Sequence, residues 1–459
     1  MAPRVLVIGG DAAGMTAASA VNRLLDDVEV VVLERGTYTS YSACGVPYWV
    51  AGDIGSCDDL VARTPEEHRR RGIDVRLGAT ARSIDVEGRT VRFSDAAGEQ
   101  EIGWDRLVVA TGARSVRPDL PGIDARGIHT IKDLDDGHAV LEHLAAGARD
   151  AVVVGSGYIG IEMVEAFAAR GLRTTVLERD STPLPIVEDE IGAVIAERMS
   201  ALGVRLVTGA EVTGFGVGDD GSVESVRTDD QEHPADIVVA AFGVTARSEL
   251  LPDAAKGAKD GLVTDEQQRV RGMEGVWSAG DCVVTRDRLS GGLVHLPLGT
   301  HANKQGLVAG ESIAASLGAT WSGRTFQGTI QSAVTKLCDL EIARTGLGVE
   351  QARDAGFDPV VATIETTTRA GYYPGAQQIH GLGVADRASR RLLGVQLAGG
   401  EGTALRIDTA AMALWSELGV DELVMTDLPY APPFSSVWSP AQVLARALTK
   451  KLAEGPESR

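Results

Sequence analysis

The sequence predicts an α/β protein in which one strand–turn–helix–strand plan is written twice and followed by a mixed α+β region. Three observations predict it. An apolar strand runs into a glycine-rich turn at Gly9, and another does so at Gly155. Each turn leads into a helical pattern and then a β-branched strand that ends in glutamate. Beyond about residue 322 the pattern changes to longer strands and amphipathic helices. At 459 residues the chain is too long for one ordinary core, and its 44% hydrophobic content is enough for several.

In the first copy, Arg4 to Ile8 reads as a strand and Gly9-Gly10-Asp11-Ala12-Ala13-Gly14 as the turn. Met15 to Leu25 carries the helical pattern, and Glu29 to Leu33 is the second strand, ending in Glu34 and Arg35. Glu34 lies twenty residues after Gly14, the spacing at which a carboxylate accepts hydrogen bonds from an adenosine ribose. In the second copy, Ala151 to Val154 is the strand and Gly155-Ser156-Gly157-Tyr158-Ile159-Gly160 the turn. A helix through Ala169 and a strand from Arg173 to Leu177 follow, ending in Glu178. The three glycines serve a tight turn, close approach of a pyrophosphate and helix–strand packing. The helix N-terminus then offers free N–H groups to phosphates. Asp11 stands where the middle glycine is usual. A single such turn is as readily a plain strand–helix corner; two, each with an acid at the proper distance, predict two Rossmann-like dinucleotide sites.

Two further stretches bear on which dinucleotide goes where. Leu107 to Ala113 reads as a buried strand ending in a turn through Ala110, Thr111 and Gly112, and Gly275 to Asp281 runs into Gly280-Asp281. An aspartate so placed suits the ribityl hydroxyls of a flavin. With the first glycine turn, these stretches resemble the scattered FAD-site motifs of the pyridine nucleotide-disulfide oxidoreductases. The resemblance covers nearly the whole chain and implies a glutathione-reductase-like architecture. It assigns FAD to the first fold and NADH or NADPH to the second, where Gly243 joins the site. It implies a discontinuous FAD domain (1–115 and 250–322), an inserted NAD(P)H domain (116–249) and a C-terminal interface domain (323–459) that forms homodimers. In the last region Ile330 to Leu347, Pro359 to Thr367 and Leu392 to Ala398 read as strands, with helices at Ala404 to Leu418 and Ala441 to Leu452.

Composition excludes several alternatives. A net charge of −20 argues against a general nucleic-acid binder, which needs surplus positive charge to displace counterions. No stretch approaches the roughly 20 apolar residues that span a bilayer, so no membrane partner is expected. Val5-Leu6-Val7-Ile8 runs straight into glycines and reads as a first strand of a cytoplasmic protein rather than a leader. Four cysteines (Cys44, Cys57, Cys282, Cys338) make no disulfide framework, and neither they nor the eight histidines have metal-ligand spacing.

The redox reading rests on Cys44, in Ser40-Tyr41-Ser42-Ala43-Cys44-Gly45-Val46-Pro47-Tyr48. Cys57 lies thirteen residues on, past Gly52 and Gly55, so no partner cysteine is adjacent. The pattern Ser-x-x-x-Cys-Gly-x-Pro-Tyr resembles the single-cysteine branch that contains coenzyme A disulfide reductases, NADH oxidases and NADH peroxidases. A helix N-terminus and an adjacent flavin are expected to lower the thiol pKa, and electrons from the flavin to reduce a mixed disulfide on Cys44. Oxidases and peroxidases of the branch carry a histidine in the first turn, where this chain has Ala12. Coenzyme A disulfide reductases resemble it instead at Gly371-Tyr372-Tyr373-Pro374-Gly375 and Tyr430-Ala431-Pro432-Pro433-Phe434-Ser435. The resemblance implies that Tyr430 and Tyr373 (or Tyr372) reach across the dimer to protonate a leaving thiolate. It also implies substrate contacts from Thr16, Arg23, Ser40 and His301. Three departures bear on the coenzyme A headgroup: Ala43 replaces asparagine, a lysine near Gly72 is missing, and Trp438 replaces a basic residue.

Glu178 favours NADH by repelling a 2′-phosphate, while Arg179 can receive one, so both cofactors stay open. The expected activity is NAD(P)H-dependent reduction of coenzyme A disulfide or a related small disulfide or persulfide. The alternatives are an NADH oxidase reducing oxygen, or a flavin-dependent reductase of a rubredoxin- or ferredoxin-like protein that does not need Cys44.

Overall fold

The computed structural model describes residues 2–454. Its first sheet has five parallel strands in the order Val276–Ser278, Arg106–Val109, Arg4–Ile8, Glu29–Glu34, Ile73–Leu77. These strands are near-continuous runs of Val, Leu and Ile because both sheet faces are covered. One face takes the helix Ala12–Leu24, which buries Ala17, Ala18 and Val21. Behind it lies Gly299–Ser316, whose Gly306 and Gly310 let the backbones touch. A methyl at Gly310 would sit 2.5 Å from the Ala17 carbonyl oxygen, and one at Gly306 2.3 Å from that of Ala13.

The second sheet repeats the design with parallel strands Arg205–Val207, Arg173–Leu177, Asp150–Val154, Ile237–Ala240 and Ile128–His129. The third sheet is antiparallel, in the order Ala333–Leu337, Leu340–Gly346, Leu392–Gly399, Gln378–Asp386, Pro359–Thr367. The helices Ile407–Trp415 and Pro440–Ala453 pack on it.

Several elements differ in detail from the sequence expectation. The apolar stretch 330–347 is a hairpin, broken where Cys338 adopts φ +58. The strand beginning near Leu107 ends at Val109, because the chain turns through Ala110–Gly112 and Ala113–Ser115 pairs with Val244–Ala246. Gln378–Asp386 escaped notice because two of its inward positions are Gly381 and Gly383, which make room for Ile364 and Leu397 and for Leu444 and Leu448. The antiparallel strands between Thr80 and Gly103 go beyond the sequence expectation, because their alternating charges hide the buried Val91 and Phe93. Among the described residues no helix is long and apolar enough to cross a membrane, and no three His, Cys, Asp or Glu side chains are grouped to hold a metal ion.

Candidate active site

The two glycine turns are built by the same contacts. Gly9 has φ +106, and a methyl there would lie 2.0 Å from the Ala110 carbonyl oxygen; one at Gly14 would lie 1.9 Å from that of Gly9. The Glu34 carboxylate accepts from the amides of Gly10 and Gly36, both at 2.7 Å, and is thereby aimed along the turn. Ala13 packs beside Gly280, whose φ is +86 and where a methyl would come 2.8 Å from the Ala13 Cβ. No side chain caps the helix that begins at Ala12, so its N-terminal amides face outward from a cradle with no room for side chains. That cradle fits the pyrophosphate of a dinucleotide.

In the second turn Gly155 has φ +90 and a methyl would meet the Ala241 carbonyl oxygen at 2.5 Å; at Gly160 it would meet that of Gly155 at 2.1 Å. Glu178 is buried and accepts from the Ser156 amide at 2.8 Å, the Ser156 hydroxyl at 2.5 Å and the Asp180 amide at 2.9 Å. A methyl at Gly157 would meet nothing within 4 Å. This helix N-terminus is also uncapped by any side chain. Tyr158 and Ile159 begin the helix half-buried, Gly243 borders open space at φ +93, and Arg179 is exposed.

The loop carrying the cysteine is stitched to the first turn. Thr39 donates its hydroxyl to the Gly10 carbonyl at 2.5 Å, the Ser40 amide donates there at 3.1 Å, and the Tyr41 amide donates to Asp11 at 3.2 Å. On its other side Ser42 and Ala62 donate amides to Leu60 and Ser40, each at 2.8 Å. Cys44 then stands exposed in a single helical turn, followed by the helix Val46–Ala51. This helix wedges between Leu134–Ala145, where Gly137 leaves space for Val46 and Trp49, and Tyr158–Ala169 from the second turn.

The expectation of a lowered Cys44 pKa counted on an adjacent flavin; the groups of the chain itself act in the opposite direction. Desolvation by surrounding protein pushes the thiol up, Glu162 adds to this, and Lys132 opposes it. The helix after the cysteine is only six residues long. Glu162 itself is pushed up to about 7, mainly by burial and also by Glu165. Glu165 has its own cation, Lys336, whereas Glu162 accepts only a long bond from the Thr335 hydroxyl at 3.4 Å.

Lys132 is a residue that sequence reasoning missed. Its Nζ lies 2.7 Å from Asp281 Oδ2, joining two positions 149 residues apart, and no local motif announces such a pair. Thr111 donates its hydroxyl to the Arg247 carbonyl, and Gly112 takes φ +70. Arg35 and Arg23 are exposed. Thr16 donates to Asn303 at 3.1 Å, and His301 bridges Thr329 at 3.2 Å and the Leu296 carbonyl at 3.3 Å. The two tyrosine segments come together: the Ala370 amide donates to the Pro432 carbonyl at 3.0 Å. Here Tyr372 is the neighbour that raises the Tyr430 phenol pKa. Tyr372, Tyr373 and Tyr430 are all exposed on the C-terminal region.

The chain is similar to known proteins over nearly its whole length. The family described as pyridine nucleotide-disulphide oxidoreductase matches residues 3–306, and its dimerisation domain matches residues 332–441. The chain is 38% identical to an NAD(P)H coenzyme A polysulfide/persulfide reductase of Pyrococcus horikoshii, covering 98% of this chain and 99% of that one. It is 32% identical to an NADH oxidase of Methanocaldococcus jannaschii, with 98% and 99% covered. The structure of an NAD-dependent persulfide reductase from A. fulgidus superposes with a TM-score of 0.93 at 33% identity, covering 98% of this chain and 84% of that one.

Proposed function

The chain belongs to the pyridine nucleotide-disulphide oxidoreductase family, and from that premise we propose that it uses NAD(P)H and FAD to reduce coenzyme A disulfide, or a related small disulfide or persulfide, through a mixed disulfide on Cys44. The observation that carries this reading is the position of Cys44: solvent-exposed, on a loop bonded to one glycine turn, and continuous with a helix packed on the helix of the other.

In this reading the first turn holds FAD through Gly9, Gly10, Gly14 and Glu34, with Asp281 at its far end. The second holds NAD(P)H through Gly155, Gly157, Gly160 and Glu178. When bound, FAD supplies a two-electron relay between nicotinamide and sulfur. The Cys44 thiolate attacks one sulfur of R–S–S–R, forming Cys44–S–S–R and releasing RS⁻. An electron pair then splits the mixed disulfide to Cys44–S⁻ and a second RS⁻, and the sum is R–S–S–R + NAD(P)H + H⁺ → 2 RSH + NAD(P)⁺. The thiolates need protons, and Glu162, whose pKa is pushed up to about 7 and whose charge is felt at Cys44, is suited to hold one. Tyr372 or Tyr373 and Tyr430 serve from the second subunit of a homodimer. Residues 1–115 with 250–322, 116–249 and 323–459 act as the three functional units.

The test is anaerobic NADH consumption by FAD-loaded protein with coenzyme A disulfide, in wild type and Cys44→Ser. Turnover that falls at least about a thousandfold in the variant, with reduction of an artificial acceptor retained, is the expected result. Because the M. jannaschii relative is named an NADH oxidase, oxygen consumption without disulfide is measured in parallel. A rate matching or exceeding disulfide turnover would replace the reading, as would acceptor reduction with no disulfide turnover in either protein.

A further inference from the structure

Ser40 is held in a conformation that serine seldom adopts. Its φ is +49, in the left-handed region, and the strain is sustained because the backbone is fixed on both sides. Its amide donates to the Gly10 carbonyl at 3.1 Å, and its carbonyl accepts from Ala62 at 2.8 Å. The side chain is therefore aimed by the fold, and its Oγ lies 2.9 Å from Nε2 of His68.

His68 is 1% exposed and stands on the short helix Pro65–Arg70, whose start is set by a reciprocal capping box between Thr64 and Glu67. Its other ring nitrogen, Nδ1, is buried with no hydrogen-bond partner. Burial, with Arg63 and Arg71 nearby, lowers the imidazole pKa, so the neutral ring and its tautomer matter. If Ser40 donated to Nε2, the ring proton would sit on Nδ1 as a buried donor with nothing to accept it. If Nε2–H donates to Oγ, Nδ1 is left as a bare acceptor, the less costly of the two orphans. The second arrangement leaves the Ser40 hydroxyl proton free. Ser40 is half-buried and four residues before Cys44, so this proton is available to a bound molecule.

We infer that His68 is a positioning residue: by donating from Nε2 it keeps the Ser40 hydroxyl a hydrogen-bond donor to the disulfide substrate held at Cys44. The inference rests on the disulfide-reductase reading proposed above. It goes beyond that reading by giving a role to a residue that touches neither cofactor nor substrate.

The experiment uses the FAD-loaded full chain and coenzyme A disulfide, with His68→Phe, His68→Gln, Ser40→Ala and the Ser40→Ala/His68→Phe double variant. His68→Phe and Ser40→Ala are each expected to raise the disulfide KM about five- to tenfold, the size of one lost neutral hydrogen bond, with kcat within about twofold. His68→Gln can still donate and is expected to stay within about twofold of wild type. The double variant should be no worse than Ser40→Ala, because His68 acts only through that hydroxyl. An unchanged KM in His68→Phe, or additive losses in the double variant, overturns the inference.

Should His68→Phe lose FAD, ring-¹⁵N histidine spectra of the wild type, assigned with His68→Gln, decide. The Nε2–H tautomer is expected, and the Nδ1–H tautomer overturns the inference. If wild type turns over no disulfide, the disulfide-reductase reading fails on its own, while the tautomer still judges the His68 geometry.

Discussion

The first and second glycine turns share their construction and part most plainly at the third position. In each, a left-handed glycine packs on a carbonyl of the neighbouring strand's end, Ala110 or Ala241. In each, a glutamate at the end of the next strand grips the amide after that glycine and the amide two residues past itself. At the third position the first turn has Asp11, tied to the Tyr41 amide, and the second has Gly157, open to solvent. The cysteine loop closes over the first turn, and a loop at Leu184, whose amide donates to the Ser156 carbonyl at 3.1 Å, lies against the second, with Gly157 itself left exposed. One backbone device is thus used twice, and the two copies part at whether the third position is tied to a neighbouring loop or left open.

Breaking the shared part should cost most. Gly9→Ala puts a methyl 2.0 Å from a carbonyl oxygen at φ +106, and Gly155→Ala does the same at 2.5 Å and φ +90. Each is expected to destabilise its own fold by about 2–4 kcal/mol. Gly9→Ala should abolish the flavin absorbance of purified protein. Gly155→Ala should retain it and lose reduction by NADH. Loss of flavin in both would mean that the two folds do not behave as separate units.

Asp11 sharpens the comparison. Burial raises its pKa to about 6, above the unfolded value, so its contribution to stability is intact below about pH 4 and is lost as pH rises through 6. Asp11→Asn keeps an acceptor for Tyr41 and removes the charge. It should match wild type near pH 4 and exceed it by about 1–3 kcal/mol at pH 7 in urea unfolding. A constant difference across that range would show that the carboxyl does not titrate there.

Arg179→Ala is expected to raise the KM for NADPH about five- to tenfold and leave that for NADH within about twofold, read from initial rates with each cofactor. Smallest should be Gly157→Ala, at φ −64 with no atom near the new methyl. Its melting temperature should shift by no more than about 0.5 kcal/mol implies. Any change should appear instead in the KM for NADH.

What the sequence disclosed, and what it hid, follows from range and from regularity of pattern. The glycine turns, their strands and the glutamates lie within about thirty residues of each other, so spacing alone carries their geometry. The pairing of Lys132 with Asp281 joins positions 149 residues apart, and that of Ser40 with His68, though only 28 apart, is made from a loop with no periodicity to mark it. The thiol of Cys44 divides in a related way: helix position is visible in sequence, but the desolvation and the Glu162 charge that push its pKa up are not. Gln378–Asp386 was hidden because glycines at inward positions erase the apolar alternation by which strands are read.

The C-terminal region leaves Tyr372, Leu405, Met412, Met425, Phe434 and Val437 on its surface, each more than half exposed in the single chain. Within a region that matches a dimerisation domain, such a surface makes the persistence of each copy depend on how many others are present. A newly made chain carries an adhesive face until it finds its twin, and dilution returns it to that condition. Its apparent melting temperature should climb with protein concentration, and its yield in a cell should be governed as much by the pace of encounter as by the folding of any one domain.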